Sequence, residues 1–310
     1  MTARGDLVAA VRSLPTSRVP GDGATGVRWL ALFDLAAAGD VSGARLCEAH
    51  LDATAILAEA GHAPRPGALY GVWASVRPDG RDVELVDGSL RGVKSFASGV
   101  GLVDRALIEV MCDGRRQLVD AAVAVDPVGD RWHSDDGRRT ATIDWHNQGL
   151  VATNTGTVCF DAADDVETVG PPDWYLERPG FWHGACGPAA CWGGGAAGLM
   201  SERTSGGDPH RLAAAGAIEA DVWSMRALLR QAGDEADRTP DDLDAARWRA
   251  RALRHAIHEL ATGVVDTFMR AYGPRPMVEH GGAGRRIADV QLYLRQHHGR
   301  ADLEALAAGT

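Results

Sequence analysis

A chain of 310 residues, 45% of them hydrophobic, is long enough for two or three compact units with filled cores. Its formal charge of −10, from 42 acidic against 32 basic residues, argues against a nucleic-acid partner, whose phosphates call for a dense basic patch. No apolar run approaches a membrane span, Met1 to Leu14 lacks the apolar segment of a secretory signal, and the scattered cysteines (Cys47, Cys112, Cys159, Cys186 and Cys191) fit a reducing compartment, so a cytoplasmic protein is expected.

From Gly26 to Gly61 apolar residues recur at three and four: Trp29, Leu32, Phe33 and Ala36, then Leu46, Ala49, His50, Ala53, Ile56 and Leu57. This spacing predicts a helical hairpin, with Asp40 and Ser42 starting its second arm and His62 to Gly67 closing the region. From Ala68 to about Gly170 short alternating segments follow: Tyr70 to Val76, Val83 to Val86, Leu102 to Cys112, Gln117 to Val125, Thr140 to Asp144 and Val151 to Phe160. Asp79-Gly80, Asp87-Gly88, Asp113-Gly114 and Asp136-Gly137 separate several of them and suit tight hairpin turns, which predicts an antiparallel β domain without parallel crossovers. After Pro171-Pro172 the pattern is helical, with segments expected at 180–202, 208–233, 241–272 and 281–297, the third stopped by Gly273-Pro274. Four long helices joined by short polar loops read as a bundle. Asp208 followed by Pro209 starts the second of these helices, which makes His210 structural.

The segment Leu90 to Gly101 places Phe96 and Ser98 on one side of a strand, where an aromatic ring beside a hydroxyl can stack on a flat ring system and bond one of its nitrogens. The competing reading is a strand with an inward Phe and a turn-forming Ser-Gly. Gly92-x-Lys94-x-Phe96-x-Ser98 resembles the Gly-x-Lys-x-Trp-Ile-Thr-Asn pattern of the acyl-CoA dehydrogenase superfamily. Tyr70-Gly-Val-Trp73-Ala-Ser75 falls where that family has its Ala-Ile-Thr-Glu-Pro flavin strand, and Thr157-Val-Cys-Phe160 with Val166 and Val169-Gly170 is similar to its last β-domain strand. The resemblance covers essentially the whole chain. It implies an α+β fold with a shortened N-terminal helical domain (1–66), a central antiparallel β domain (67–175) and a C-terminal four-helix bundle (176–310).

The resemblance further implies FAD between the β domain and the bundle, with Phe96 in place of the family's tryptophan at the isoalloxazine face and Ser98 in place of the threonine whose hydroxyl meets N5. Trp73 and Ser75 would line the pyrimidine end. Gly281-Gly282 and Gly284 before Arg285-Arg286 echo the Gly-Gly-x-Gly with which the family's bundle approaches a neighbouring subunit's cofactor, so Gly282, Arg285 and Arg286 are candidates for phosphate contacts in a homodimer or homotetramer. The family's catalytic Glu is missing: His297 stands at the place eight residues after Asp289, and Gly180 at the alternative place on the first bundle helix. His297, His298 and His183 are therefore the candidate bases, although a Gln-His-His-Gly run also serves simply to end a helix. The substrate implied is an acyl thioester or related small molecule. A flavin monooxygenase of the same fold, which is similar in lacking the Glu, and a scaffold that has lost flavin are the alternatives. Cys186 and Cys191 are five apart and no Cys-x-x-Cys occurs, so no metal site is expected; the small residues from Gly184 to Gly198 read as close helix packing or room for the flavin.

Overall fold

The computed structural model describes residues 4–14, 19–75, 82–203, 208–279 and 282–308. The first three residues of the Met1 stretch, Val76, the Asp79-Gly80 turn, Gly206 and Gly281 lie outside the described residues. Three helices come first: α1 (Arg4–Ser13), which the periodicity did not show, α2 (Thr25–Ala38) and α3 (Val41–Glu59). The Asp40 side chain accepts from the Ser42 amide at 3.1 Å and caps α3, as its position predicts.

The sheet is built from β1 (Tyr70–Trp73), β2 (Glu84–Val86), β3 (Ser89–Ala97), β4 (Arg105–Cys112), β5 (Arg115–Ala122), β6 (Asp126–Val128), β7 (Arg131–His133), β8 (Arg139–Thr142), β9 (Gly156–Ala163) and β10 (Val166–Val169). Its order is β10-β5-β4-β2-β3-β9-β8-β7-β6, with β1 beside β4. In the β2–β3 and β4–β5 turns Asp87-Gly88 and Asp113-Gly114 have φ of 49° and 75°, and of 50° and 76°, so both central residues of each turn occupy the left-handed region that matches strand twist. One expectation is corrected: β1 pairs with β4 in parallel, Tyr70 opposite Arg105 through Trp73 opposite Ile108, and β2 meets β4 in parallel at Glu84 and Met111. The β2–β3 hairpin makes the return between these strands, so no crossover helix is needed. Val151–Thr153 is a single 3-10 turn rather than the start of a strand, because Leu150 and Asn154 on either side hold φ of 54° and 47°. Lys94 lies wholly inside the sheet domain, its ammonium donating to both Asp82 oxygens at 2.9 and 3.0 Å and to the Glu109 carbonyl at 2.9 Å.

The C-terminal part comprises α4 (Trp174–Glu177), α5 (Pro179–Gly184), α6 (Cys186–Ala197), α7 (Pro209–Arg238), α8 (Leu243–Tyr272), α9 (Arg275–Glu279), α10 (Gly282–Tyr293) and α11 (Arg300–Ala308). The helix expected at 180–202 is divided at Ala185 and finishes in a 3-10 turn, Gly198–Glu202. Asp208 caps α7 by accepting from the His210 amide at 2.9 Å, and Gly273, with φ of 66°, ends α8. Helix α6 is almost wholly buried and packs on both α2 and α8, while α7 lies along α8 and α2. Its small residues permit this: a methyl group at Gly194 would strike the Phe33 carbonyl of α2. One apolar cluster runs through all three parts of the chain, from Trp29 and Phe33 through Trp73 and Ile108 to Trp192, Ile257 and Phe268. No described helix is long and apolar enough to cross a membrane.

Candidate functional site

Where α3, the ends of β1 and β3, and helices α5 and α8 converge, they enclose a cleft of about 580 Å3. Its β-domain wall carries Trp73, Ser75, Phe96 and Ser98, which the sequence had singled out. Trp73, only 2% exposed, donates from Nε1 to the Ser98 carbonyl at 3.0 Å and ties the end of β1 to the segment leaving β3. Ser75 donates to the Ser95 carbonyl at 3.1 Å. Pairing of β3 with β9 slips between Lys94 and Ala97, and at this irregularity Phe96 adopts φ of 57° and leaves its ring 65% exposed on the cleft. A bulky residue in the left-handed region is a conformational outlier, so strict strand alternation is not what brings Phe96 and Ser98 to the same cleft.

Ser98 belongs to a hydroxyl relay. Thr153 donates to the Leu150 carbonyl at 2.7 Å, Thr153 and Thr155 share a bond of 2.7 Å, and Thr155 and Ser98 share one of 3.0 Å. Each hydroxyl has a single proton. With that of Thr153 directed to Leu150, Thr155 must donate to Thr153 and Ser98 to Thr155, so the Ser98 oxygen has its remaining lone pair free to accept on the cleft side.

The α3 wall carries Arg45, Glu48 and Asp52, which sequence reasoning missed. Arg45 Nη1 donates to Glu48 Oε2 at 2.8 Å, and further along α3 Glu59 accepts from Arg178 at 2.5 Å. Opposite these carboxylates stand glycines: a methyl group at 180, 184 or 187 would run into Glu59, Asp52 or Glu48 respectively. Burial, outweighing the pull of Arg45, pushes the Glu48 carboxyl up to about 7, and burial raises Asp52 and Glu59 as well. The spacing of 48, 52 and 59 along one helix was visible, but such a stripe ordinarily marks a solvated face. On the bundle side Arg254 donates to the carbonyls of Ala185 at 2.6 Å and Gln296 at 2.8 Å, which fixes the C-terminal segment as the rim.

Of the candidate bases, His298 lines the cleft, exposed, with Nδ1 3.7 Å from Asp302. His297 is turned the other way. Helix α10 tightens into a 3-10 turn at Leu294–Gln296 and His297 is extended, so its ring stacks on His258 at 4.5 Å and His255 at 5.5 Å. Burial pushes it down to about 4, and it is neutral at physiological pH. His183, 2% exposed, donates from Nε2 to the Pro240 carbonyl at 2.9 Å and does not line the cleft. The phosphate candidates lie elsewhere too. Gly282, Arg285 and Arg286 border a separate cavity of about 410 Å3 with Asp40 and Glu202. Arg286 donates to the Ala36 carbonyl at 2.8 Å and the Gly39 carbonyl at 3.0 Å, satisfying the C-terminus of α2, and Arg285 beside it is exposed.

No family model and no curated protein matches this sequence. Among solved structures the chain is similar to the dibenzothiophene monooxygenase TdsC from Paenibacillus sp. A11-2 in complex with FMN and indole, with a TM-score of 0.76 and 15% identity over 99% of this chain and 90% of that one. It is similar to the methanesulfinate monooxygenase MsuC from Pseudomonas fluorescens (TM-score 0.70, 17% identity, 98% and 87% covered) and to a nitrososynthase from Micromonospora carbonacea var. africana (TM-score 0.66, 18% identity, 100% and 97% covered). The fold is thus α+β and that of the acyl-CoA dehydrogenases: N-terminal helices, a curled sheet domain and a C-terminal helical bundle.

Proposed function

We propose that this protein is a flavin-dependent monooxygenase of a small molecule, with the flavin ring in the cleft between the β domain and the bundle. The observation that carries the reading is the conjunction of Phe96, an aromatic ring displayed on the cleft by a left-handed backbone, with the accepting oxygen of Ser98 two residues on. A ring face offers stacking, and Ser98 can accept from a ring N–H such as that of the reduced flavin. The cleft's size lies within the ~300–1,000 Å3 usual for small-molecule sites. Trp73 and Ser75 hold the neighbouring wall in place through their bonds to the Ser98 and Ser95 carbonyls.

We read the cofactor as FMN rather than FAD. TdsC has been solved with FMN, and of the two arginines expected to meet the dinucleotide's phosphates, Arg285 and Arg286, the second is committed to α2. A bound flavin supplies two-electron reduction of dioxygen, one atom of which enters the substrate while the other leaves as water. The protein's part is to position the ring, exclude water with the aromatic walls, and move protons, with His298 at the rim. The fold relatives named as monooxygenases support this outcome over acyl-thioester dehydrogenation.

The test is a titration of purified protein with FMN and with FAD, followed by absorbance and fluorescence, and then oxygen consumption with externally reduced FMN. A perturbed FMN spectrum and FMN-dependent oxygen uptake are expected. A spectrum identical to free FMN defeats the reading in favour of a flavin-free scaffold, and anaerobic bleaching by an acyl thioester defeats it in favour of a dehydrogenase.

A further inference from the structure

We propose that Glu48 exchanges a proton with the substrate of this cleft, with Asp52 as its proton-sharing neighbour, and that the substrate is a small aromatic molecule whose oxidised atom gives up a proton. The inference rests on the monooxygenase reading of the same cleft.

Geometry carries it. Glu48 and Asp52 stand one helical turn apart on α3 and both line the cleft. Glu48 is only 5% exposed. One of its oxygens is held by Arg45, and the other faces the notch left by Gly187, where a methyl group would come within 2.9 Å of Glu48 Cγ and 3.0 Å of Oε1. Gly184 makes the same room for Asp52. Behind the pair the wholly buried Tyr293 hydroxyl has no nitrogen or oxygen partner, and its ring lies 5.8 Å from the Arg45 guanidinium. Tyr175, Phe181 and Trp182 supply aromatic surface to the same cleft.

The charges that reach Glu48 are those of Arg45 and Asp52 on α3, Arg28 on α2 and Arg254 on α8, while Tyr175 on α4, Cys191 on α6 and Tyr293 on α10 lie near it and are kept neutral by burial. Burial dominates them and sets the carboxyl near neutrality, where a proton-transfer group works best. Arg254 directs its guanidinium to two backbone carbonyls, Arg45 bonds Glu48 directly, and Arg178, Arg28 and Arg45 act together on Asp52.

For an arylamine, the probe class used below, the balance is Ar–NH2 plus dioxygen plus reduced flavin giving Ar–NH–OH, water and oxidised flavin. One N–H bond breaks, its proton going to the Glu48 carboxylate as the new N–O bond forms. The O–O bond breaks, and the departing oxygen takes up two protons, one returned through the Glu48–Asp52 pair and the other brought by the reduced flavin. The two electrons come from the flavin.

Flavin-free protein is titrated by infrared difference spectroscopy, and FMN-loaded protein is assayed with externally reduced FMN and aniline as the probe, for wild type, Glu48→Gln and Asp52→Asn. A protonated-carboxyl band with a midpoint of about 7, absent in Glu48→Gln, is expected. Hydroxylation of aniline should fall roughly 100-fold or more in Glu48→Gln, with its loss on acidification through neutrality abolished and FMN affinity kept. Asp52→Asn should move the midpoint, because the pair titrates as a unit. An unchanged band or an unchanged aniline rate in Glu48→Gln overturns the role of Glu48, and oxygen uptake that leaves aniline unmodified overturns the substrate class. Wild type without FMN-dependent oxygen uptake sinks the reading of the cleft itself.

Discussion

Phe96, Leu150 and Asn154 all have positive φ, and all three border the hydroxyl relay that runs from Ser98 to Leu150. Left-handed backbone in an ordinary L-residue costs roughly 1–2 kcal/mol, and such outliers gather where function imposes them. Phe96→Gly therefore separates function from folding. It relieves this strain while giving up a ring that is mostly exposed and some chain entropy, so stability measured by urea unfolding should stay within about 1 kcal/mol of wild type. Flavin affinity should fall ~5-fold or more, the equivalent of one lost aromatic stack of about 1 kcal/mol, and an unaltered affinity would remove Phe96 from the ring-binding face. The Gly-x-Lys-x-Phe-x-Ser run made this wall legible, yet neither Thr153 nor Thr155 was, since Thr155 lies 57 residues beyond Ser98 and only the pairing of β3 with β9 brings them together. The histidines show the converse limit. Adjacent residues at a helix end must diverge, and which one faces the cleft depends on the 3-10 turn at Leu294–Gln296, a backbone detail that side-chain type does not encode.

Helices were more legible than strands because caps announce them: Asp40, Asp208 and Gly273 each occupy the predicted terminus. Strands β6 and β7, at three residues each, are too short to show alternation, and the parallel placement of β1 depends on a pairing that no local pattern records. Glycines inside helices divide by what faces them. Gly216 of α7 is exposed with nothing near its missing side chain, whereas a methyl group at Gly233 of the same helix would strike the backbone of Gly26 on α2. Gly216→Ala should thus raise stability by about 0.8 kcal/mol through helix propensity alone. Gly233→Ala, with the same propensity gain, should lower it by ~1–3 kcal/mol, because α2 and α7 must move apart. Thermal unfolding of the two variants decides it: equal shifts would mean that the α2–α7 contact is looser than the structure shows.

At the scale of the whole molecule, the order of helices, sheet and helices could be read from the sequence, but the cleft could not be, because its walls come from α3, the sheet, α5 and α8, and the apolar core that joins them is continuous. That convergence and the packing around it bury ionisable groups, whose protons are coupled to the stability of the fold. Glu48 and Asp289 are raised from ordinary carboxylate values to about 7 and about 6 by burial, with Asp52 and Glu59 moved in the same direction. Between the ordinary and raised values the folded chain binds more protons than the unfolded one, so this contribution is complete at low pH and lost as pH rises towards 7. His50 and His297 are lowered to about 4 by burial, and here the unfolded chain binds more protons, so their contribution is complete above about 6.5 and lost as pH falls towards 4. The two effects oppose each other between about 4.5 and 6, and above about 6.5 the histidines are silent while Glu48 still titrates. Unfolding free energy should therefore be nearly level from pH 5 to 6 and decline through pH 7, with a slope of about 1.4 kcal/mol per pH unit for each proton released. In Glu48→Gln the decline through pH 7 should vanish, and in His297→Asn it should begin at lower pH, because one opposing titration is gone. Urea unfolding across pH 5 to 8 measures all three, and a wild-type stability that rises through pH 7 would show that Glu48 folds as a carboxylate rather than as the neutral acid that its burial favours.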